Sequence, residues 1–267
     1  MEHREPPDIL YKYSSFEGAK AILENRKIKI TPPHEFNDPF EILPSGYDNI
    51  SKRERDRTFR RCNKIVIKNW LSQGRVKNMS EGKKLYKEEC KRLPPQLVEK
   101  ARDWRGFKKE FCKRIGILCL SEVLDDILMW SHYSDSHKGV VIGFDPMTLS
   151  PPFFPVEYFD DRVKVTLSSK SNSKEKKQTD SILVLTKSCH WQYEKEWRSI
   201  DELKSLEKDG NKYFFPFPTE AIKEIIIGAE TPADNRKEIT ELVQVDYPTA
   251  KIKQAELSLV EFKLDIL

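Results

Sequence analysis

The chain has 267 residues, 38% of them hydrophobic, a length and apolar share that suit one large domain or two small ones around a proper core. No apolar run approaches the roughly 20 residues that span a bilayer, which argues against a membrane helix. Its five cysteines include no CxxC pair, which argues against a disulfide framework or a structural zinc site. The opening MEHREPPDIL has neither an apolar h-region nor a small-residue cleavage site, so a soluble, cytoplasmic protein with reduced thiols is expected. Net charge is only +4, yet residues 51–115 hold 22 Lys and Arg against 8 Asp and Glu, and the remainder 25 against 35. A block of +14 is either a solvated helical face or a docking surface for phosphate backbones.

In chain order, Ile9 to Ser14 reads as an aromatic-rich strand, and Phe16 to Asn25 carries Phe16, Ala19, Ile22 and Leu23 at helical spacing. Ile28 to Thr31 alternates as a second strand that stops at Pro32-Pro33, before a loop, HEFNDPFE, with Asn37-Asp38-Pro39 turn chemistry and Phe36 and Phe40 expected to pin it to the core. The basic segment 51–115 reads as a helical insertion, with Phe59, Cys62, Val66 and Trp70 on one face and Leu97, Ala101, Trp104, Phe107 and Phe111 on another. Ile115 to Leu120 is a strand buried on both faces, DDILMWSHYSD a short helix, and Gly139 to Phe144 a β-branched strand. A proline-rich stretch, a strand over RVKVTL and a polar surface loop over SSKSNSKEKKQTD follow. Ser181 to Ser188 fits helix or strand, with helix favoured. Tyr193 to Ile200, KYFFPF, EIIIG, KIKQAEL and LVEFKL supply further strands, and Ala233 to Val243 a helix. The class is α+β, a mostly antiparallel sheet with helices packed on it or inserted.

Five histidines and the adjacent Cys189-His190 lack metal-site spacing such as HExxH, and a nucleophilic pairing of Cys119 or Cys189 with His132 has no local pattern behind it. The chain lacks a phosphate-cradling glycine loop. What remains is a set of polar and aromatic residues at strand ends: Tyr11-Lys12-Tyr13-Ser14, Asn37-Asp38, Trp130 to His137, and Trp191 to Arg198. Each alone is more often structural: Tyr11 and Tyr13 packing residues, Trp130 and Trp191 core anchors, Asp38 a turn former. Together they suit a ligand with rings and phosphates. In a strand over Tyr193 to Ile200 the period of two puts Glu194 and Glu196 on one face, Lys195 and Trp197 on the other. Like charges side by side are costly, so a water-screened charge run is the competing reading.

The segments LYKYSSFEGAKAILENRKIKITPPHEFNDPFE, WSHYSDSHKGVVIGFD and CHWQYEKEWR, with the EIIIG strand, resemble a widespread bacterial and phage family of unknown function over most of Ile9 to Gly228, the basic helices being its variable part. More distantly, the opening strand, helix and strand and the Glu-x-Glu at 194–196 are similar to the ADP-ribosyltransferase superfamily. That resemblance implies a single domain over 1–267, an ADP-ribosyltransferase-like split β-sandwich with the basic helical insertion 51–115, holding NAD in a cleft without a metal. It implies Glu196 as the catalytic carboxylate and Glu194 as the acceptor-side helper. Tyr11, Lys12, Tyr13, Ser14, Tyr133 and Arg198 would bind NAD, with Lys12 or Arg198 on the pyrophosphate and Tyr133 in place of the tyrosine that the central strand lacks.

The expected function is therefore transfer of ADP-ribose from NAD to a macromolecule, nucleic acid given the basic block, as a toxin or effector in bacterial conflict or phage defence, with an antitoxin or inhibitor protein as a further partner. Two alternatives stand beside it. One is a metal-dependent nuclease or hydrolase using Asp38, Glu41, His132 and Glu196. The other is a non-catalytic module whose basic helices dock nucleic acid or protein.

Overall fold

A computed structural model of the chain describes residues 4–43, 67, 70–72, 74–92, 108, 111–149, 152–163 and 181–267. By contacts the chain divides into two compact units, one of Met1–Ile42, Glu110–Asp160 and Leu185–Leu267, the other of Leu43–Lys109 and Asp161–Val184.

The first unit is α+β. Strand β1 (Leu10–Ser14) runs into helix α1 (Phe16–Asn25), which starts because the Ser15 side chain accepts from the Gly18 amide and stops where Arg26 turns left-handed. β2 (Lys27–Ile30) follows. The chain re-enters the unit at β3 (Ile115–Ser121), then β4 (Val140–Phe144), β5 (Phe153–Pro155), β6 (Glu157–Phe159), β7 (Thr186–Ser188) and β8 (Glu196–Glu202). It finishes with β9 (Glu207–Asp209), β10 (Lys212–Pro216), β11 (Ile222–Ile227), β12 (Lys251–Leu257) and β13 (Leu264–Ile266). An eight-stranded sheet has the order β13-β12-β11-β4-β1-β3-β8-β5, beside a β2-β10-β9 sheet and a β6-β7 pair. Pairing is antiparallel except between β11 and β12 and between β6 and β7.

Alternation divides the large sheet into two buried faces. Leu10, Leu118, Leu120, Ile142, Phe144, Trp197 and Ile225 join the α1 residues Phe16, Ala19 and Leu23 in the main core. Tyr13, Val141, Ile226 and Ala255 pack on the other face against Met129 and Trp130 of a short helix (Ile127–Tyr133), capped by the Asp126 carboxylate at the Leu128 and Met129 amides. β1 pairs with β4 along its whole length, from Leu10 with Phe144 to Ser14 with Val140. With β3 it shares only Tyr11 with Ser121, and further along β3 Ile117 bonds Thr31. Past that pair the ladder between them is not continued, and residues of both strands line a cavity.

The second unit contains a helix (Met79–Arg92) whose start is a capping box: the Asn78 side chain accepts from Ser80 and Glu81, and Glu81 reaches back to the Lys77 amide. Ile67, Trp70 and Val76 form its apolar cluster with Leu71, Met79 and Leu85, and Arg75 lies over the Trp70 ring. The expected faces over residues 59–66 and 97–107, the polar loop at 168–180 and most of the strand at 162–167 lie outside the described residues.

Four expectations are corrected. Residues 193–194 are not strand: a 3-10 helix runs Cys189–Glu194, Lys195 turns left-handed at φ 40°, and only Glu196 onward pairs with β3. Ser181 to Ser188 is neither all helix nor all strand, being helical at 181–184 and extended at 186–188 because Thr186–Ser188 pairs with β6. LVEFKL is a bend whose Leu259, Val260 and Phe262 face water, and the strand begins only at Leu264. Phe40 does not pin its loop, being 59% exposed, a task that falls to the buried Asp38, Glu41 and Ile42.

Candidate functional site

The cavity, of about 300 Å³, is lined by β1, the segment from Thr31 to Glu41, β3, the Ile127–Tyr133 helix, Lys187 and β8. Its volume is at the lower end of small-molecule sites. At its base is an ionic cluster almost wholly out of water. Arg198, fully buried, points from β8 toward Glu41, whose carboxylate accepts from both terminal nitrogens at 3.0 and 2.7 Å. The same guanidinium binds both oxygens of Glu196, each at 2.9 Å, two residues back on the same strand face. Lys187 Nζ sits among three carboxylates, 2.5 Å from Glu194, 3.1 Å from Glu196 and 3.5 Å from Glu41. Phe36 covers the guanidinium, its ring centre 5.4 Å from the central carbon.

The cluster sets three carboxylates against two cations, and the environment acts oppositely on Glu194 and Glu196. Burial alone would raise Glu196, but the charges of Arg198 and Lys187 outweigh it and hold this carboxyl well below the usual range, so it stays ionised. For Glu194 burial wins: its pKa is raised, with Lys187 and the hydroxyl of Tyr133, which donates at 2.7 Å, pulling the other way. Burial opposes the charge on Lys187, yet Glu196, Glu194 and Glu41 raise its pKa and keep it an ammonium. Two buried carboxyls 194 and 196 thus divide into a fixed anion and a proton-accepting group, the pattern that precedes acid–base work.

The rim is aromatic. Tyr11, Tyr13, Tyr133 and Phe36 line the cavity with Met129. Tyr11 donates to Glu224 on β11, made possible by Gly143: a Cβ there would lie 2.8 Å from Glu224 and 3.2 Å from the tyrosine ring. Tyr13 donates to the Val123 carbonyl, and Asn37 reaches Tyr133. Lys12 Nζ donates to the Cys119 carbonyl at 3.3 Å, and among the described residues this cation meets the cavity without a carboxylate partner.

Most residues expected at the site are therefore brought together: Glu196, Glu194, Tyr11, Lys12, Tyr13, Tyr133 and Arg198 all line the cavity. Ser14 does not; its carbonyl accepts from Ser134, because the last residue of β1 lies against the Ile127–Tyr133 helix and not the cavity. Arg198 is present but its guanidinium is taken by Glu41 and Glu196, which makes it a positioning residue for carboxylates. Trp191 is no core anchor: it lies half-buried beside Tyr193 and Lys187. Asp38 spends its carboxylate on the Phe40 amide and His132 meets the Tyr193 hydroxyl, so neither is turned to the Glu41 and Glu196 cluster. Cys189 donates to Asp160, and Cys119 lies beside Glu196 in the cavity; neither is brought to His132. Among the described residues no group of His, Cys, Asp and Glu suits a metal ion, and no helix is long and apolar enough to cross a membrane.

Sequence reasoning missed Lys187 altogether and placed Glu41 only in a metal-site alternative. Lys187 sits in a short parallel strand after a stretch with no periodic pattern, and nothing local distinguishes it from the chain's other lysines.

A family described as "Protein of unknown function (DUF2971)" matches residues 129–199, so the chain is similar to it over the stretch that carries Tyr133, Lys187, Glu194, Glu196 and Arg198. No curated protein and no solved structure matches the chain.

Proposed function

We propose that the cavity cleaves the nicotinamide–ribose bond of NAD and transfers ADP-ribose to a macromolecular acceptor. The observation that carries this reading is the pairing of a buried Glu196, held ionised by Arg198 and Lys187, with a proton-accepting Glu194 in a tyrosine-lined cavity. Breaking that bond builds positive charge on the ribose, and a fixed anion in a dry site lowers the energy of that charge more than it would in water. Glu196 is the fixed anion, held in place by Arg198 and Lys187. Glu194, whose raised pKa suits a base, takes the proton of the incoming nucleophile. Lys12, which has no carboxylate partner among the described residues, is the cation for a phosphate, and the tyrosines offer ring faces to the nicotinamide. The bond from ribose C1′ to the pyridinium nitrogen breaks as the acceptor's bond to C1′ forms, nicotinamide leaves neutral, and the acceptor's proton goes to Glu194.

The +14 block at 51–115 supports nucleic acid as the acceptor, and Lys83 and Lys84 stand exposed on the Met79–Arg92 helix. Incubation with NAD labelled in the adenosine moiety, followed by separation of protein, RNA and DNA, tests the reading. Label is expected in a nucleic-acid fraction with the wild type and not with Glu196→Gln; label in no fraction, with no nicotinamide released, removes the proposal.

A further inference from the structure

Glu224 is a buried carboxylate on β11 that does not line the cavity. Its place results from an irregularity in the sheet. Ile222 stands opposite Phe144 on β4, but the pairing then shifts by one residue and Glu224 stands opposite Gly143. In an unbroken ladder Lys223 would take that position, and Glu224 would fall opposite Ile142, in the main core. The extra residue, Lys223, is instead partly exposed and pairs with Asp145 at 3.1 Å. Bulges of this kind re-aim a side chain, and this one turns a carboxylate onto the face of the sheet that carries Tyr11 and Tyr13.

From there a row of directly opposed residues crosses five strands on that face: Glu224 on β11, Gly143 on β4, Tyr11 on β1, Ser121 on β3 and Glu196 on β8. The Tyr11 side chain leans toward the β11 end. Its hydroxyl donates to Glu224 at 2.8 Å, and a Cβ on Gly143 would lie 3.2 Å from its ring, so the ring covers the glycine. The other oxygen of Glu224 is held by Lys253 of β12 at 2.7 Å. Toward the β8 end, Ser121 is small and spends its hydroxyl on the Glu194 carbonyl at 2.6 Å. Tyr11, Ser121 and Glu196 all line the cavity, so the cavity occupies the stretch of the row from the tyrosine ring to the Glu196 carboxylate.

We propose that Glu224 is a positioning residue for the ligand site: by anchoring the Tyr11 hydroxyl beyond Gly143 it keeps the tyrosine ring as the wall facing Glu196 and leaves the place above Ser121 open to the ring-bearing end of the ligand. The assignment rests on the reading of the cavity as an NAD site, and nicotinamide is the ring concerned. Without Glu224 no other side chain among the described residues holds the Tyr11 hydroxyl, and the tyrosine is free to turn to another rotamer, into the space above Ser121 and in competition with the ligand. Loss of the anchor therefore weakens binding, while Glu196 and Glu194 continue to act on the ligand that does bind. KM rises and kcat holds, the mark of lost uniform binding.

Titration calorimetry of the full chain with NAD, beside steady-state nicotinamide release, tests this in the wild type, Glu224→Leu, Tyr11→Phe and the double variant, with thermal midpoints as the check on folding. Each single change removes one partner of the same hydrogen bond and is expected to weaken Kd about tenfold with kcat within about threefold of the wild type. The double variant is expected to bind no more weakly than either single one, because both act through one contact. A Kd unchanged in Glu224→Leu, penalties that multiply in the double variant, or a kcat that falls with KM unchanged overturns the proposal and leaves NAD as the ligand. If Glu224→Leu does not fold, Tyr11→Phe carries the test, and an unchanged Kd there overturns the proposal as well. NAD binding with the expected dependence on Glu224 but no nicotinamide release supports the positioning role and removes the transfer reading; no binding of NAD by the wild type removes both.

Discussion

Glu196 and Glu194 sit two residues apart in the same buried cluster, and their different partners give them different protonation behaviour. Replacing Glu196 by glutamine leaves two carboxylates facing two cations, a balanced set, so the fold is expected to survive while transfer falls roughly 100- to 1,000-fold, the usual loss when one preorganised electrostatic contact is removed. Steady-state nicotinamide release, with circular dichroism for the fold, measures both. Glu194 makes the pH dependence specific. Burial raises its pKa, so the acid limb of kcat/KM is expected above the ordinary glutamate value of about 4.3. The hydrogen bond donated by Tyr133 favours the ionised form. Tyr133→Phe removes it, and the limb is expected to move to still higher pH; a shift downward would contradict the assignment of Glu194 as base.

At the scale of elements, the cluster ties the loop after β2 to β8 and β7 through Glu41, Arg198, Glu196 and Lys187. Removing one of the two cations leaves buried carboxylates without a compensating charge, which costs about 3–5 kcal/mol. Lys187→Met is expected to lose that much in denaturant unfolding, whereas Lys204→Met, at an exposed pair on the same unit, should change stability by less than about 1 kcal/mol. Much of this architecture was legible in the sequence where the pattern is local. The β1–α1–β2 opening, the buried β3 and β4, and the β11 strand follow from alternation, helical spacing and β-branched runs. The site was legible where its residues fall on such strands, as with Tyr11, Tyr13 and Arg198. It failed where geometry depends on distant pairing. Glu194 joins Glu196 not through strand alternation but because Lys195 turns left-handed after a 3-10 helix, and both carboxylates then reach Lys187. Lys187 gains its place from Glu194, Glu196 and the distant Glu41, and Glu41 from Arg198, 157 residues away, and no spacing rule reaches that far.

For the whole molecule, the lowered pKa of Glu196 predicts acid sensitivity. Its contribution to stability is fully present above the unfolded glutamate pKa of about 4.3 and is lost as pH falls through the lower folded value. Glu196→Gln should therefore flatten the acid side of the stability profile; an unchanged acid limb would contradict the charge assignment. The basic block predicts that affinity for mixed-sequence RNA falls steeply with salt, because phosphate contacts release counterions. Absence of binding at low salt would remove nucleic acid as acceptor while leaving NAD cleavage standing. The most direct test of the central claim is nicotinamide release from NAD by the purified chain, wild type beside Glu196→Gln at matched folding. The account predicts release that depends on enzyme and is lost in the variant; no release above the variant's level, in the presence of RNA, DNA and protein acceptors, would contradict it.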